Sequence, residues 1–546
     1  MTQKRWFDGA ALALVAVSTA AVTDLAAQAP LTVPERTDYQ RTSTVAEVQA
    51  FLDSLQAMGA PITVGEMGRT ANGKPIPLVI ASEPRVTSPP EAARTGKLVV
   101  YLQANIHGGE VEGKEAVQML LREMAGPRRG LLERLIVLVA PVYNGDGNDA
   151  LGPGETHRPG QDGPPVVGLR PDGRNLDLNR DYLKAEAPET RAAFARVFNT
   201  WDPALMMDLH TTNGTRHGYL LTYAPPLNPN APPGPVAFAR DTMLPAVRAA
   251  MAREHDEAIF PYGNVRNPLE PTAWTTYSAL AWYGVNYVGM RGRIGILSEA
   301  YSHAGFRTRV KATHDFVAEV LEFAAEHADR IRALVAEADR ATAAEGASSD
   351  RPELGLDFAP VSRGVEPVVL EEVRRVAVEG RRPRYEPTGA MRTVDLPILD
   401  RFEATRTRTL PGGYFLAPGD GDIVELLRLH GIQVRQTEAA WTGTTERFRA
   451  DTVSWSAGPY QGHILLSVTG DHEASTTTIP ARSYYVSTAQ PLGRLVFELL
   501  EPDGWGLVRW GFFDRRLGRQ FGPAGVVRIP IWRVARDPDV AMRVVP

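Results

Sequence analysis

The run Leu98-Val99-Val100-Tyr101-Leu102 is apolar at every position. A strand with one wet face alternates apolar and polar residues, whereas a continuous apolar run suits a strand buried on both faces. Leu135 to Val142, Ala204 to Leu209 and Ile294 to Leu297 repeat the pattern. Helical spacing lies around and between them: Thr44 to Met58, Val117 to Met124, Glu189 to Asn199, Phe238 to Glu254, and one helix or two over Thr313 to Ala343. Buried strands alternating with helices predict an α/β fold, a mixed, mostly parallel sheet flanked by helices. Ligands bind such sheets at the carboxyl ends of the strands.

The residues at those ends are chemically suggestive. Beyond Leu102 a small-residue turn carries His107-Gly108-Gly109-Glu110. His210 follows Asp208-Leu209, and Glu299 follows Ser298. The chain has no cysteine, so any metal must be held by His and carboxylate. A catalytic zinc site has three protein ligands and one open position. Each residue also has a plain reading: a chance His-x-x-Glu pair, a hydrogen-bonding His, a surface Glu. Position supports the metal reading, because all three groups stand just after predicted strands. Tyr143 to Asn148 is a turn, and the Gly/Pro-rich loop from Gly152 to Asp172 has a length that usually serves a function. The cluster Asn175-Leu176-Asp177-Leu178-Asn179-Arg180-Asp181 is either a charged loop or a site in which Arg180 grips a carboxylate and Asn179 adds hydrogen bonds.

Taken together, His107-x-x-Glu110, Asn144-Gly145-Asp146-Gly147, Asp177-Leu178-Asn179-Arg180, His210 and Glu299 resemble, in order, the motifs of the zinc carboxypeptidases, the carboxypeptidase A-like metallopeptidases. The resemblance covers Tyr39 to Arg340. It implies one Zn²⁺ bound by His107, Glu110 and His210, with Asp177 accepting a hydrogen bond from His107. It implies Asn179 and Arg180 binding the C-terminal carboxylate of a peptide, and Glu299 acting as general base on the zinc-bound water. An Arg that stabilises the oxyanion is also implied; Arg158 is the assignment and Arg170 the competitor. A Tyr that closes over substrate is one of Tyr277, Tyr283 and Tyr287. His217, His303 and His314 remain ordinary histidines on this reading. The chain departs from the digestive enzymes around the base, at Ser298 and Ala300-Tyr301-Ser302-His303, and in a shorter interval from Glu110 to His210. Their side-chain pocket therefore does not transfer.

The length of 546 residues suits two or three domains. Residues 1–29 read as a secretory signal: Lys4 and Arg5, an apolar stretch from Ala10 to Val22, then Ala27-Gln28-Ala29 as a cleavage pattern. Export to a periplasm or the medium follows, with no stable membrane span after signal removal. A catalytic domain is expected over 37–343, a linker over 344–354 and a smaller β-rich accessory domain over 355–546. In that last region Ile423 to His430 reads as the one clear helix, and Leu495-Val496-Phe497 as a strand-type run. Arg482 to Val486 and Leu499 to Pro502 resemble the accessory region of large bacterial members of the family. A net charge of −5 without a basic block argues against nucleic acid. The expected partner is a peptide or protein with a free C-terminus. The alternatives are a zinc amidase, deacylase or cell-wall peptide hydrolase with the same ligands, or a non-catalytic binding protein on this fold.

Overall fold

A computed structural model describes residues 29–377, 384–518 and 526–546. Apart from Ala29, the expected leader lies outside the described residues. Helix α1 (Val45–Ala57) opens on a capping box in which Thr44 and Glu47 satisfy each other's backbone N–H groups. A hairpin of β1 (Ile62–Arg69) and β2 (Pro75–Ala81) follows. Then come β3 (Leu98–Ala104), α2 (Glu112–Glu123), β4 (Leu135–Ala140), α3 (Pro188–Ala193) and β5 (Leu205–Thr211). After these lie β6 (Leu221–Ala224), α4 (Leu244–Glu254), β7 (Ile259–Pro261), α5 (Gly284–Met290) and β8 (Ile294–Ala300). Two long helices, α6 (Phe306–Glu326) and α7 (Ala328–Ala347), finish the first region.

The eight strands form one sheet in the order β1-β2-β4-β3-β5-β8-β6-β7. Its centre, β4-β3-β5-β8, is parallel, and antiparallel pairings flank it. The mixed sheet is as the apolar runs predict. Val100, Leu102, Leu205, Met207 and Ile296 face a layer made by α1, α2, α4 and α6. Tyr101, Leu138 and Met206 face the other way, toward Phe194, Phe198, Tyr287 and Val288. The predicted helices over 189–199 and 238–254 each contain a π-turn, at Phe194–Phe198 and Ala239–Met243.

The C-terminal region is built mainly of strands. These are β9 (Glu353–Val361), β10 (Val365–Val376), β11 (Arg384–Leu399), β12 (Arg401–Thr409), β13 (Gly413–Leu416) and β14 (Arg435–Thr437). The remainder are β15 (Trp441–Trp455), β16 (Leu466–Ile479), β17 (Tyr484–Ser487), β18 (Val527–Val534) and β19 (Met542–Val544). Seven of them make an antiparallel sheet, β16-β15-β18-β13-β17-β14-β19. Helix α8 (Gly421–Leu429) lies where the periodicity puts it. A second helix, α9 (Gly493–Leu500), replaces the strand expected at Leu495-Val496-Phe497. All eight of its residues are buried; Arg494 and Glu498, four apart, are the helical signal that the apolar run Leu495-Val496-Phe497 obscures.

The two regions share a core. The cluster that holds Tyr101, Phe194 and Tyr287 continues without a break into Leu427 of α8, Leu499 of α9 and Trp510. Trp274–Thr275 also pairs with Ile398–Leu399 of β11. A chain ending at Ala347 therefore exposes the far side of that cluster. We expect it to be recovered aggregated or unfolded, whereas the full chain shows one calorimetric transition joining both regions; a soluble fragment with native near-UV circular dichroism would contradict this.

His314 is an ordinary histidine in place but not in charge. Its Nδ1 lies 2.8 Å from Asp315 and its Nε2 3.0 Å from Glu123, which ties α6 to α2. Burial opposes the charge, but the hydrogen bonds to Asp315 and Glu123 outweigh it and push the imidazole up to about 9. A folded-state value above the unfolded ~6.5 means stabilisation that is complete below that pH and lost as pH rises through 9. His314→Gln should lower the melting temperature at pH 6 and leave it nearly unchanged at pH 10.

Candidate metal centre

Three parallel strands deliver the candidate ligands to one edge. Strand β3 ends at Ala104, and the turn after it is set by Asn105. This residue has φ of +61°, and its side-chain amide donates to the carbonyls of His107, Gly108 and Glu110. His210 is the penultimate residue of β5, paired in register with Glu299, the penultimate residue of β8. Alternation puts Asp208 and His210 on one face of β5 and Leu297 and Glu299 on the same face of β8.

The glycines after His107 serve close approach rather than a left-handed turn. A Cβ on Gly108 would stand 2.1 Å from the backbone carbon of Gly147, and one on Gly109 2.8 Å from the carbonyl of Gly168. The Asn144 turn and the 152–172 loop therefore press backbone-on-backbone against the His107 turn. Asn144 bridges them, its amide donating to the carbonyls of Ile106, Arg170 and Pro171.

His107, Glu110 and His210 are each at most 3% exposed, and one donor atom of each lies within 4.8 Å of the others. The donors are the two Nδ1 atoms and the Glu110 carboxylate. His107 Nδ1 is 3.1 Å from Oε1, His210 Nδ1 is 2.9 Å from Oε2, and the two Nδ1 atoms are 3.2 Å apart. The far nitrogens face carboxylates: His107 Nε2 is 2.9 Å from Asp177 Oδ1, and His210 Nε2 is 2.9 Å from Asp208 Oδ2. Both nitrogens of each imidazole face carboxylates; with the proton on Nε2, toward Asp177 and Asp208, each Nδ1 presents a lone pair. In that tautomer two lone pairs and a carboxylate converge. That donor set fits a cation, and two His with one carboxylate match a zinc site.

The electrostatics agree. Burial alone would raise the Glu110 carboxyl, but the neighbouring His107 and Arg158 hold it well below the usual carboxylate range. Burial alone would lower His210, yet Asp208 and Glu110 raise it well above an ordinary histidine, so its Nδ1 favours a proton or a cation. The pocket is made to hold positive charge.

Residues 48–215 match the family model described as zinc carboxypeptidase. The chain carries a zinc carboxypeptidase domain. That match and the carboxypeptidases among its relatives support a zinc metallopeptidase of the carboxypeptidase type, a family that uses one zinc ion. Among curated relatives, carboxypeptidase 2 of Trichophyton equinum is 23% identical over 452 residues, covering 76% of this chain and 73% of its own. Carboxypeptidase 2 of Trichophyton rubrum is 23% identical over 482 residues, 84% of this chain and 81% of its own. A metallo-carboxypeptidase from Burkholderia cenocepacia has a TM-score of 0.39 at 18% identity, covering 52% of this chain and 69% of its own. The carboxypeptidase A of Helicoverpa armigera has a TM-score of 0.39 at 16% identity, covering 56% and 79%.

Around the carboxypeptidase donors, the cavity is lined by Arg170, Asn179, Arg180, Tyr283 and Glu299, with Tyr262, Tyr277, Val285 and Leu297 on one side. Asn179 Oδ1 accepts from Gly284 N–H at 2.8 Å. Burial, with Glu110 nearby, pushes Glu299 up to about 8, against the pull of His210 and Arg158. The two arginines part company. Arg158 lies underneath, its Nη1 donating to Glu110 and its Nη2 to the carbonyls of Thr211 and Thr212. Arg170 lines the cavity and holds Asp177 with Nε and Nη2 and Glu110 with Nη1. Of the three tyrosines, Tyr287 is stacked on Phe194 and bonded to His430, away from the cavity. Tyr277 lines the cavity with its hydroxyl turned to Asn286. Tyr283 lies half-buried, with the Arg180 guanidinium 4.4 Å over its ring. His217 packs on Tyr301 and Trp274, and His303 packs edge-on against Tyr301.

Asp208 is the residue that sequence reasoning left without a role. Its signal was present: two positions before His210 on a strand is the same face. Partners of this kind typically change metal affinity 10–100-fold. Asp208→Ala should weaken zinc binding by about that factor in competition with a chelator, and Gly108→Ala should abolish stoichiometric zinc.

Proposed function

We propose that the protein is an exported zinc carboxypeptidase that removes C-terminal residues from peptides, with Glu299 as general base. The observation that carries this is the three-donor cluster with Glu299 beside it, in a cavity that also holds the guanidinium of Arg180. Zinc held by His107, Glu110 and His210 supplies Lewis acidity, lowering the pKa of a water and polarising the scissile carbonyl. Asp177 and Asp208 keep both imidazoles in the tautomer that ligation needs. Glu299 takes the proton of the attacking water and returns it to the leaving amine. Burial raises the basicity of its carboxylate toward that proton.

Arg170 is better placed than Arg158 to meet the oxyanion, because it lines the cavity with 35% of its side chain exposed, whereas Arg158 is 10% exposed and does not line it. Arg180 receives the terminal carboxylate of the substrate, with Asn179 beside it. Tyr283, half-buried at the cavity, is the candidate for closing over substrate. Beyond Arg180, the walls at Tyr262, Tyr277, Val285 and Leu297 carry no charge, so an uncharged, apolar terminal side chain fits best. Export rests on residues 1–29 and on Pro30, whose carbonyl accepts from Arg122 and so already belongs to the fold.

Glu299→Gln should lower kcat on the order of 10²–10⁴-fold with zinc content unchanged. Arg180→Ala should cut activity on peptides with a free C-terminus by a large factor and leave amidated peptides at their low wild-type rate; equal losses on both would contradict the carboxypeptidase reading. A peptide-library digest read by mass spectrometry should show single-residue trimming with apolar C-terminal residues removed fastest and Asp, Glu, Lys and Arg slowest. The secreted protein's N-terminal sequence should begin at Pro30.

A further inference from the structure

The long β15–β16 hairpin of the C-terminal region does not stop at its own sheet. Its loop, residues 456–465, reaches the segment that carries Asp177 and Arg180. Arg180 Nε donates to Tyr460 Oη at 3.1 Å. The backbone N–H of Asp177 donates to the side-chain Oε1 of Gln461 at 2.7 Å. His463 Nε2 lies 2.8 Å from Glu186 Oε2. Three successive contacts therefore pin the loop against the motif segment of the first region.

From these contacts we infer that Tyr460 and Gln461, supplied by the C-terminal region, are positioning residues for substrate-carboxylate binding: Tyr460 aims the Arg180 guanidinium and Gln461 fixes the backbone at Asp177. The inference rests on the reading of Arg180 as the carboxylate-binding residue.

The guanidinium geometry shows what Tyr460 does. Arg180 Nη1 donates to the carbonyl of Asn179 at 2.8 Å, and Nε is taken by Tyr460. Among the described residues Nη2 has no hydrogen-bond partner. With Nε occupied, an incoming carboxylate meets the end formed by Nη1 and Nη2, the fork that matches its two oxygens. The Tyr283 ring under the guanidinium, at 4.4 Å, holds its plane. Tyr460 is itself fixed: its ring lies 5.7 Å from Trp282 and is stacked on Trp510.

The turn that presents Gln461 carries its own signal. Tyr460 and His463 exchange backbone hydrogen bonds at 2.7 and 3.0 Å across the two central residues. Those residues have φ of +50° at Gln461 and +83° at Gly462, the signs that a type I′ turn requires. Glycine, asparagine or aspartate suits the first position, whereas glutamine is disfavoured there. A strained residue kept at a site points to a function, and the Gln461 side chain spends its carbonyl on the Asp177 N–H. Asp177 is also the acceptor for His107, so the loop braces both the carboxylate-binding and the metal-binding ends of the motif.

The test is a set of three variants of the full-length, zinc-loaded protein: Tyr460→Phe, Gln461→Gly and Arg180→Ala. Each is assayed on matched peptides with free and amidated C-termini, with zinc content and melting temperature measured alongside. Tyr460→Phe keeps the stacked ring and loses only the hydrogen bond to a charged group. It should raise KM for the free-carboxylate peptide about tenfold, leave kcat within about twofold, and leave the amidated peptide unaffected. Gln461→Gly suits the turn, so it should raise the same KM without lowering the melting temperature. Adding Tyr460→Phe to Arg180→Ala should cost nothing further. If Arg180→Ala discriminates between the peptides and Tyr460→Phe does not change KM, the positioning role is wrong and the carboxylate reading stands. If Tyr460→Phe lowers activity equally on both peptides, its role is structural and the inference fails. If Arg180→Ala itself fails to discriminate, both fall together.

Discussion

The site depends on two carboxylates that do not themselves belong to the donor cluster. Asp177 and Asp208 each face the Nε2 of a histidine, and so turn both Nδ1 lone pairs toward each other and toward Glu110. Without a cation between them, two lone pairs at 3.2 Å beside a buried carboxylate are repulsive. The rest of the fold holds that arrangement in place. Parallel strands bring His210 and Glu299 into register, Asn105 shapes the turn that carries His107 and Glu110, and the glycines at 108 and 147 let two backbones touch.

The same dependence explains why the two regions are fused. One face of the sheet is covered by helices of the first region, but the core on the other face runs on through α5 into α8, α9 and Trp510. Having been recruited for packing, the C-terminal region is close enough to reach the cavity through the β15–β16 loop. Stability and substrate binding are thus coupled through one set of aromatic contacts at Trp282, Tyr460 and Trp510.

Much of this is legible in the residues. Continuous apolar runs mark strands buried on both faces, and the His and Glu residues at or just past their ends lie at the sheet edge where ligands bind. Other parts are not legible, for physical reasons. Helix α9 is short and buried all round, and its one polar pair, Arg494 and Glu498, is too brief a period to separate it from a strand. Arg158 caps a single helical turn, Gly154–His157, and Arg170 follows a two-residue strand, elements too short for spacing to carry direction, and only the folded path shows that Arg170 lines the cavity. Tyr287 resembles Tyr283 in sequence context but is stacked on Phe194. Tyr460 and Gln461 lie about 280 positions from their partners, and nothing local announces such a contact.

The central claim is that His107, Glu110 and His210 hold one zinc ion through the two Nδ1 atoms and the carboxylate. Diffraction from crystals of the purified protein, recorded at the zinc absorption edge, tests it directly. The account predicts a single anomalous peak per chain, about 2.0–2.2 Å from both Nδ1 atoms and from a Glu110 oxygen. A peak bound through either Nε2, a peak elsewhere, or no peak in an active preparation would contradict it.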